Sequence, residues 1–172
     1  MRLYEVRNGL WEKVGKDWKV AVGAAGILPK EIKVEGDGAT PDGIYPIERA
    51  FGYQKRTKTN LPYRKLSKKD IWVDDPNSKY YNQYLPGKLG KIEGKSVYNN
   101  PEVYRLFVVI EYNTKNIESG KGSMLFVHSW SDLTKSTYGC VGMKQKELEV
   151  LINWLDSQKN PVLILLAEPF SD

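Results

Sequence analysis

Residues 104–112 read YRLFVVIEY, and residues 124–128 read MLFVH. β-Branched and aromatic side chains dominate both stretches. They suit a pleated, half-buried surface, so each is predicted as a strand. Toward the C-terminus, residues 144–158 are predicted as the clearest helix. Leu148, Leu151, Ile152 and Leu155 recur at i, i+3, i+4 and i+7 and share one face, which core packing explains. Asn160-Pro161 ends that helix, and 162–167 (VLILLA) reads as a buried final strand. Toward the N-terminus the first 35 residues read as short strands, with Trp18, Val20 and Val22 alternating. The turn-forming run Gly36-Asp37-Gly38-Ala39-Thr40-Pro41-Asp42-Gly43 follows, and 44–51 is extended again. Residues 53–100 are polar, aromatic and aperiodic. They are predicted as a long irregular insertion forming a lid or one wall of a cleft. The pattern is mainly β, a sandwich or barrel with one clear helix, and it predicts a single domain over 1–172.

The chain has 172 residues, 41% hydrophobic and 27% charged, so disorder is not expected. No run reaches the roughly 18 apolar residues of a transmembrane segment. The N-terminus (MRLYEVRNGLWEKVGKDW) lacks an apolar core of signal-peptide length. A soluble chain is therefore expected, either signal-less or a mature form whose export signal is replaced by Met1. The net charge of +5 favours anionic partners such as nucleic acid, a membrane surface or an anionic cell wall. The densest basic run holds Lys55, Arg56, Lys58, Arg64, Lys65, Lys68 and Lys69. It could be a nucleic-acid footprint or help hold the protein on an anionic wall. A solvated loop is the preferred reading, and no recognition motif supports nucleic acid as a partner.

One cysteine and one histidine are present. His128 ends a predicted strand, and Cys140 lies in a turn-like stretch before the helix. A thiol becomes a nucleophile by losing its proton, which a neighbouring imidazole can accept. Gly139 lets the backbone approach a substrate, and amides around Tyr138 to Cys140 could face an oxyanion. Against this stands packing, with Cys140 a core residue and His128 a hydrogen-bonded surface one; on these two residues alone the readings weigh equally. Metal ligation is set aside on ligand count, and no cofactor is expected. No G-x-x-x-x-G-K-[ST], G-x-G-x-x-G or G-x-S-x-G segment occurs. Asp74, Asp75 and Glu111 make a poor carboxylate pair, because adjacent Asp residues in extended chain point apart.

Phe126-Val127-His128 followed by Ser136-Thr137-Tyr138-Gly139-Cys140-Val141 resembles the signature of the YkuD-type L,D-transpeptidase family. Residues 36–46 are similar to that family's G-D-x-x-T-P-x-G-x-[FY] segment. Asp74-Asp75-Pro76 through Tyr81-Asn82, and Gly120-Lys121-Gly122-Ser123, resemble one subgroup, so the likeness runs from about Val20 to Ala167. The resemblance implies a β-rich catalytic fold of mixed sheets and peptidoglycan stem peptides as substrate. Cys140 would attack the carbonyl between the third residue and D-alanine, leaving a thioester that an amine resolves into a 3→3 cross-link. It casts His128 as the base, and Gly139 with the amides of Tyr138 and Cys140 as the oxyanion site. A backbone carbonyl often orients the family's histidine; Ser129 and Thr137 are the nearest side chains. Two positions depart from the commoner motif. Tyr138 stands where His is usual, and Gly142 stands where Arg or Asn is usual, removing a group that would engage a substrate carboxylate or support the loop. Both fit the subgroup. The family's setting implies a periplasmic or extracellular site of action, with a secreted effector or a phage enzyme as alternatives.

For the 36–43 run a structural turn near the site floor is preferred. For Trp72, Asp75, Tyr81 and Asn82, packing and a substrate-binding cleft wall weigh evenly. Four functions remain open: L,D-transpeptidase, L,D-carboxypeptidase, non-catalytic wall-binding module, and basic nucleic-acid-binding domain.

Overall fold

The computed structural model describes residues 1–87 and 92–167. In chain order these form β1 (Leu3–Arg7), β2 (Leu10–Val14), β3 (Val20–Ala21), β4 (Ile27–Leu28), β5 (Thr40–Pro41), β6 (Gly43–Pro46) and β7 (Ala50–Gly52). There follow β8 (Tyr63–Lys65), β9 (Ile71–Trp72), β10 (Tyr84–Leu85), β11 (Lys95–Ser96) and the short helix α1 (Pro101–Tyr104). The chain continues with β12 (Leu106–Val109), β13 (Phe126–Ser129), β14 (Val141–Met143), α2 (Gln145–Trp154) and β15 (Val162–Leu165). The fold is mainly β with mixed sheets, as expected.

The organising element is a six-stranded sheet in the order β3-β14-β13-β12-β7-β8. Side chains alternate across it. Leu106, Val108 and Val127 face one layer with Leu148, Leu151 and Ile152 of α2. Phe51, Phe107, Val109 and Phe126 face the other, against Leu66, Trp72 and Val97. The VVI of residues 108–110 is therefore buried on both sides, which explains its near-continuous apolarity.

Three predicted elements change on folding. The strand predicted over 104–112 is shorter, because Pro101 starts a helical turn whose N-cap Asn100 accepts the Val103 amide at 3.3 Å. The helix predicted to 158 stops at Trp154, since Asp156 captures the Gln158 amide at 2.9 Å and a separate 3₁₀ turn follows. The final strand is not buried: β15 pairs only with β6, and Val162 and Ile164 remain 46% and 44% exposed. The insertion predicted over 53–100 is also more ordered than expected. It contributes β8 to the main sheet, and β9 sits between β10 and β11 in a three-stranded sheet. Strands of two or three residues carry too few alternations to register as a period. The insertion packs its aromatic residues onto the main sheet as the second layer of a sandwich; its residues 88–91 lie outside the described residues.

Candidate active site

β13 and β14 run parallel, with Val127 opposite Val141 and His128 opposite Gly142. Alternation turns His128 to the same sheet face as Phe126. Cys140, one residue before β14, packs against that same aromatic layer. The connection between them is stitched to the chain after β3: the Thr137 amide donates to Val22 O at 2.9 Å, and Ala24 donates to Thr137 O at 3.0 Å. Thus the two residues reach one face of neighbouring strands.

His128 is only 3% exposed. Its Nδ1 lies 2.8 Å from the Ser129 carbonyl. A carbonyl can only accept, so Nδ1 carries the proton and Nε2 keeps its lone pair. Tyr104 and Trp130 pack edge-on against the imidazole, with centroids 6.3 and 5.6 Å away. Burial lowers its pKa, only partly offset by the Ser129 carbonyl, so the ring is held neutral.

Cys140 is half-buried, and Sγ donates to Met124 O at 3.3 Å. Although the residue keeps some exposure, burial pushes the thiol up to about 11; the Phe126 amide and the charge of Lys33 pull the other way. Met124 itself sits in the left-handed region at φ 55, a conformation that costs a non-glycine residue roughly 1–2 kcal/mol. Its amide donates to Asn82 Oδ1 at 3.0 Å, which holds the carbonyl that meets the thiol.

The loop before the cysteine is tightly fitted. Gly139 has φ +127, and a Cβ there would fall 2.8 Å from Ala39 O and 3.1 Å from Leu125 Cδ2. Thr137 Oγ1 donates to Cys140 O at 2.6 Å and accepts the Gly139 amide at 3.3 Å. Tyr138 is 92% exposed, its side chain projecting from the loop into solvent. Thr40, fully buried, donates from Oγ1 to Gly139 O at 2.8 Å and accepts the Gly23 amide at 2.9 Å. The turn of residues 36–43 is therefore a clamp on the cysteine loop as well as a turn. Behind it Lys33, 3% exposed, pairs with Asp37. Burial of Asp37 works against ionisation, but Lys33 and the amides of Val34 and Ala39 outweigh it and lower its pKa.

Ser129 orients His128 through its carbonyl, not its hydroxyl, and Thr137 touches the cysteine loop rather than the histidine. Of the two readings of Trp72, Tyr81 and Asn82, packing and cleft wall, their burial at 1%, 2% and 3% exposed favours packing. Asn82 Oδ1 accepts Trp72 Nε1 at 3.0 Å, while its Nδ2 donates to Tyr112 O at 3.3 Å and Asn113 O at 2.7 Å. Tyr81 bonds Glu35 through its hydroxyl, which also accepts the Gly122 amide at 3.0 Å. These three side chains build the scaffold beneath Met124. Asp75 is exposed, with its carboxylate accepting the Asn77 amide at 2.9 Å in a local turn.

Lys33, Thr40, Tyr104, Met124 and Trp130 are neighbours of the site that the sequence did not single out. Thr40 carried the only usable signal, a hydroxyl inside a turn motif. Trp130 also explains Gly142: a Cβ there would fall 2.7 Å from Trp130 Cβ and 2.9 Å from its Cγ. The place where an arginine would begin is filled by indole.

Neither a curated protein nor a solved structure matches the chain. A family model described as the L,D-transpeptidase catalytic domain matches residues 1–164. With its mainly β fold and that match over nearly its whole length, the chain belongs to the YkuD family of L,D-transpeptidase catalytic domains.

Proposed function

We propose that this protein is an active L,D-transpeptidase in which Cys140 is the nucleophile and His128 the base, working outside the cytoplasm, in the periplasm or extracellularly, on peptidoglycan stem peptides. The observation that carries the reading is the shared sheet face of the two residues, together with the Nδ1–Ser129 carbonyl contact that leaves Nε2 free to accept a proton. The family acts on the cell wall, and among the described residues no helix is long and apolar enough to cross a membrane.

In the proposed reaction the neutral thiol gives its proton to His128 Nε2 as sulfur attacks the carbonyl joining the L-centre of the third stem residue to D-alanine. Proton loss accompanies attack, because the enclosed thiol, pushed up to about 11, stays protonated near neutral pH. The Gly139 amide is already bonded to Thr137 Oγ1. The amides of Tyr138 and Cys140 are therefore the donors assigned to the developing oxyanion. His128 then returns the proton to the departing D-alanine nitrogen, and a thioester remains. An acceptor amine displaces the cysteine to form a 3→3 cross-link, with His128 again moving the proton.

Mass spectrometry of muropeptides tests this, using tetrapeptide-rich peptidoglycan with the wild type and Cys140→Ala. Free D-alanine with new 3→3 dimers, lost in the mutant, is the expected result. D-alanine with tripeptides and no dimers would make the protein an L,D-carboxypeptidase. Unchanged muropeptides, where another family enzyme acts on the same sample, would leave a wall-binding module without catalysis.

A further inference from the structure

The basic charge of this chain is concentrated in one place. Residues 55–69 hold seven Lys and Arg and no Asp or Glu, so the formal charge of +5 leaves the rest of the molecule at −2. All seven side chains sit on exposed residues, and none of them forms an ion pair among the described residues. Arg64 instead lies over the Tyr84 ring at 5.1 Å. Elsewhere several surface lysines are paired, as in Lys115–Glu48 and Lys159–Glu5, each at 2.6 Å. Leaving this many like charges unpaired on one segment costs self-repulsion, which a bound polyanion would relieve.

The segment also borders a formed concavity. A cleft of about 550 Å³ opens between the loop after β7, β8 and the outer face of α2, with Arg56, Lys58 and Arg105 among its lining residues. Amide side chains of Gln54, Gln145 and Asn153 add uncharged donors; Glu149 is the one carboxylate, and it accepts from Gln145 at 2.7 Å. The floor is shaped by close backbone approach. A Cβ on Gly52 would meet both Arg105 O and the Tyr63 hydroxyl at 2.8 Å, and that hydroxyl donates to Gln54 O at 2.7 Å, tying the basic loop down. β8 is the edge strand farthest from β14 in the main sheet, and Leu106 in the cleft wall belongs to the α2-side core. The cleft therefore opens away from the face that carries Cys140.

We infer that the cleft of Arg56, Lys58 and Arg105, with the adjoining basic segment, docks a linear phosphodiester polymer of the cell wall and holds the enzyme at its substrate. The choice of a wall polymer rests on the proposed function. The preference for a polyanion rests on the charge and the cleft alone. Three cations spaced around one cleft suit repeated phosphates. Among its described lining residues Tyr63 is the one aromatic, and it forms no stacked pair like Tyr53–Tyr98 on which bases could lie.

Fluorescence anisotropy of the full chain carrying Cys140→Ala, with labelled poly(glycerol phosphate) as probe, tests the docking without any catalysis. Releasing counterions from about three phosphates at the cleft predicts a log–log salt slope of at least roughly −2, steeper as the adjoining basic segment engages, so binding weakens about 15-fold or more between about 50 and 200 mM salt. Adding Arg56→Glu, Lys58→Glu and Arg105→Glu should weaken binding at least tenfold at the lower salt. The same three changes in the Cys140 enzyme should leave turnover of a soluble tetrapeptide at the wild-type rate. Undiminished affinity in the triple variant overturns the proposal. So does tighter binding of oligothymidylate at equal charge, which would identify a nucleic-acid surface. If tetrapeptide turnover is absent in every form while the polymer still binds through these residues, the catalytic reading fails and the docking site stands.

Discussion

Thr40 offers the sharpest single test of how the fold holds the cysteine loop. Its buried hydroxyl bridges two backbone groups, donating to Gly139 O at 2.8 Å and accepting the Gly23 amide at 2.9 Å. Thr40→Val keeps the shape and removes both bonds. Each partner is then left in the interior without a bond, at about 1–3 kcal/mol apiece. Partial relaxation brings the expected loss to roughly 2–4 kcal/mol, a sizeable part of the 5–15 kcal/mol typical of a domain. The Gly139 carbonyl adjoins the Cys140 amide, so loss of the tether also loosens Cys140, the proposed nucleophile. A displacement of about 1 Å at a reacting group can cost about 10²-fold in rate. Urea unfolding would measure the first effect and initial rates of D-alanine release the second. Thr40→Ser, which restores the hydroxyl, should recover most of both. Stability within about 0.5 kcal/mol of wild type in Thr40→Val, together with unchanged rates, would refute the clamp.

Alkylation of Cys140 by iodoacetamide should accelerate about tenfold per pH unit from neutrality toward about 11, because a raised thiol pKa leaves the thiolate scarce until then; a plateau below pH 8 would contradict this. Gly142→Ala drives a Cβ to 2.7 Å from Trp130 Cβ and should cost about 1–3 kcal/mol in thermal or urea unfolding, and Trp130→Ala in the same chain should recover little of it, because alanine keeps the Cβ that clashes. Asn82→Asp places a carboxylate against the carbonyls of Tyr112 and Asn113, so it should lower the melting temperature markedly. A variant that raised only KM at unchanged stability would restore Asn82 to the substrate cleft.

Much of the fold could be read from local sequence. YRLFVVIEY, MLFVH and the leucine stripe of 148–155 each carry their period or composition within a few residues, and each formed the expected kind of element. Where boundaries moved, a cap decided it: Asn100 with Pro101 at one strand, Asp156 at the helix end. The exposure of β15 could not be read, since apolar residues on the outer face of a two-stranded ribbon look the same as residues in a core. For the site, the one cysteine and the one histidine were visible as residue types, and the family motif around them as a spacing. The roles of their neighbours were not. Trp72, Tyr81 and Asn82 looked as suited to a cleft wall as to a core, because nothing local states which way a polar side chain in an aperiodic segment will point.

What the sequence determined by itself was chemistry and inventory: one thiol, one imidazole, a glycine to bend the chain between Tyr138 and Cys140, and strands to carry them. Tertiary structure alone decided how those groups are held. The parallel register of β13 and β14 puts His128 and Cys140 on one face, Thr40 reaches across 99 residues to Gly139, and Asn82 across 42 to the Met124 amide. The physical reason is that hydrogen bonds over such separations have no local signature. They form only after the sheet has brought distant backbone into contact, and burial then makes each of them costly to lose.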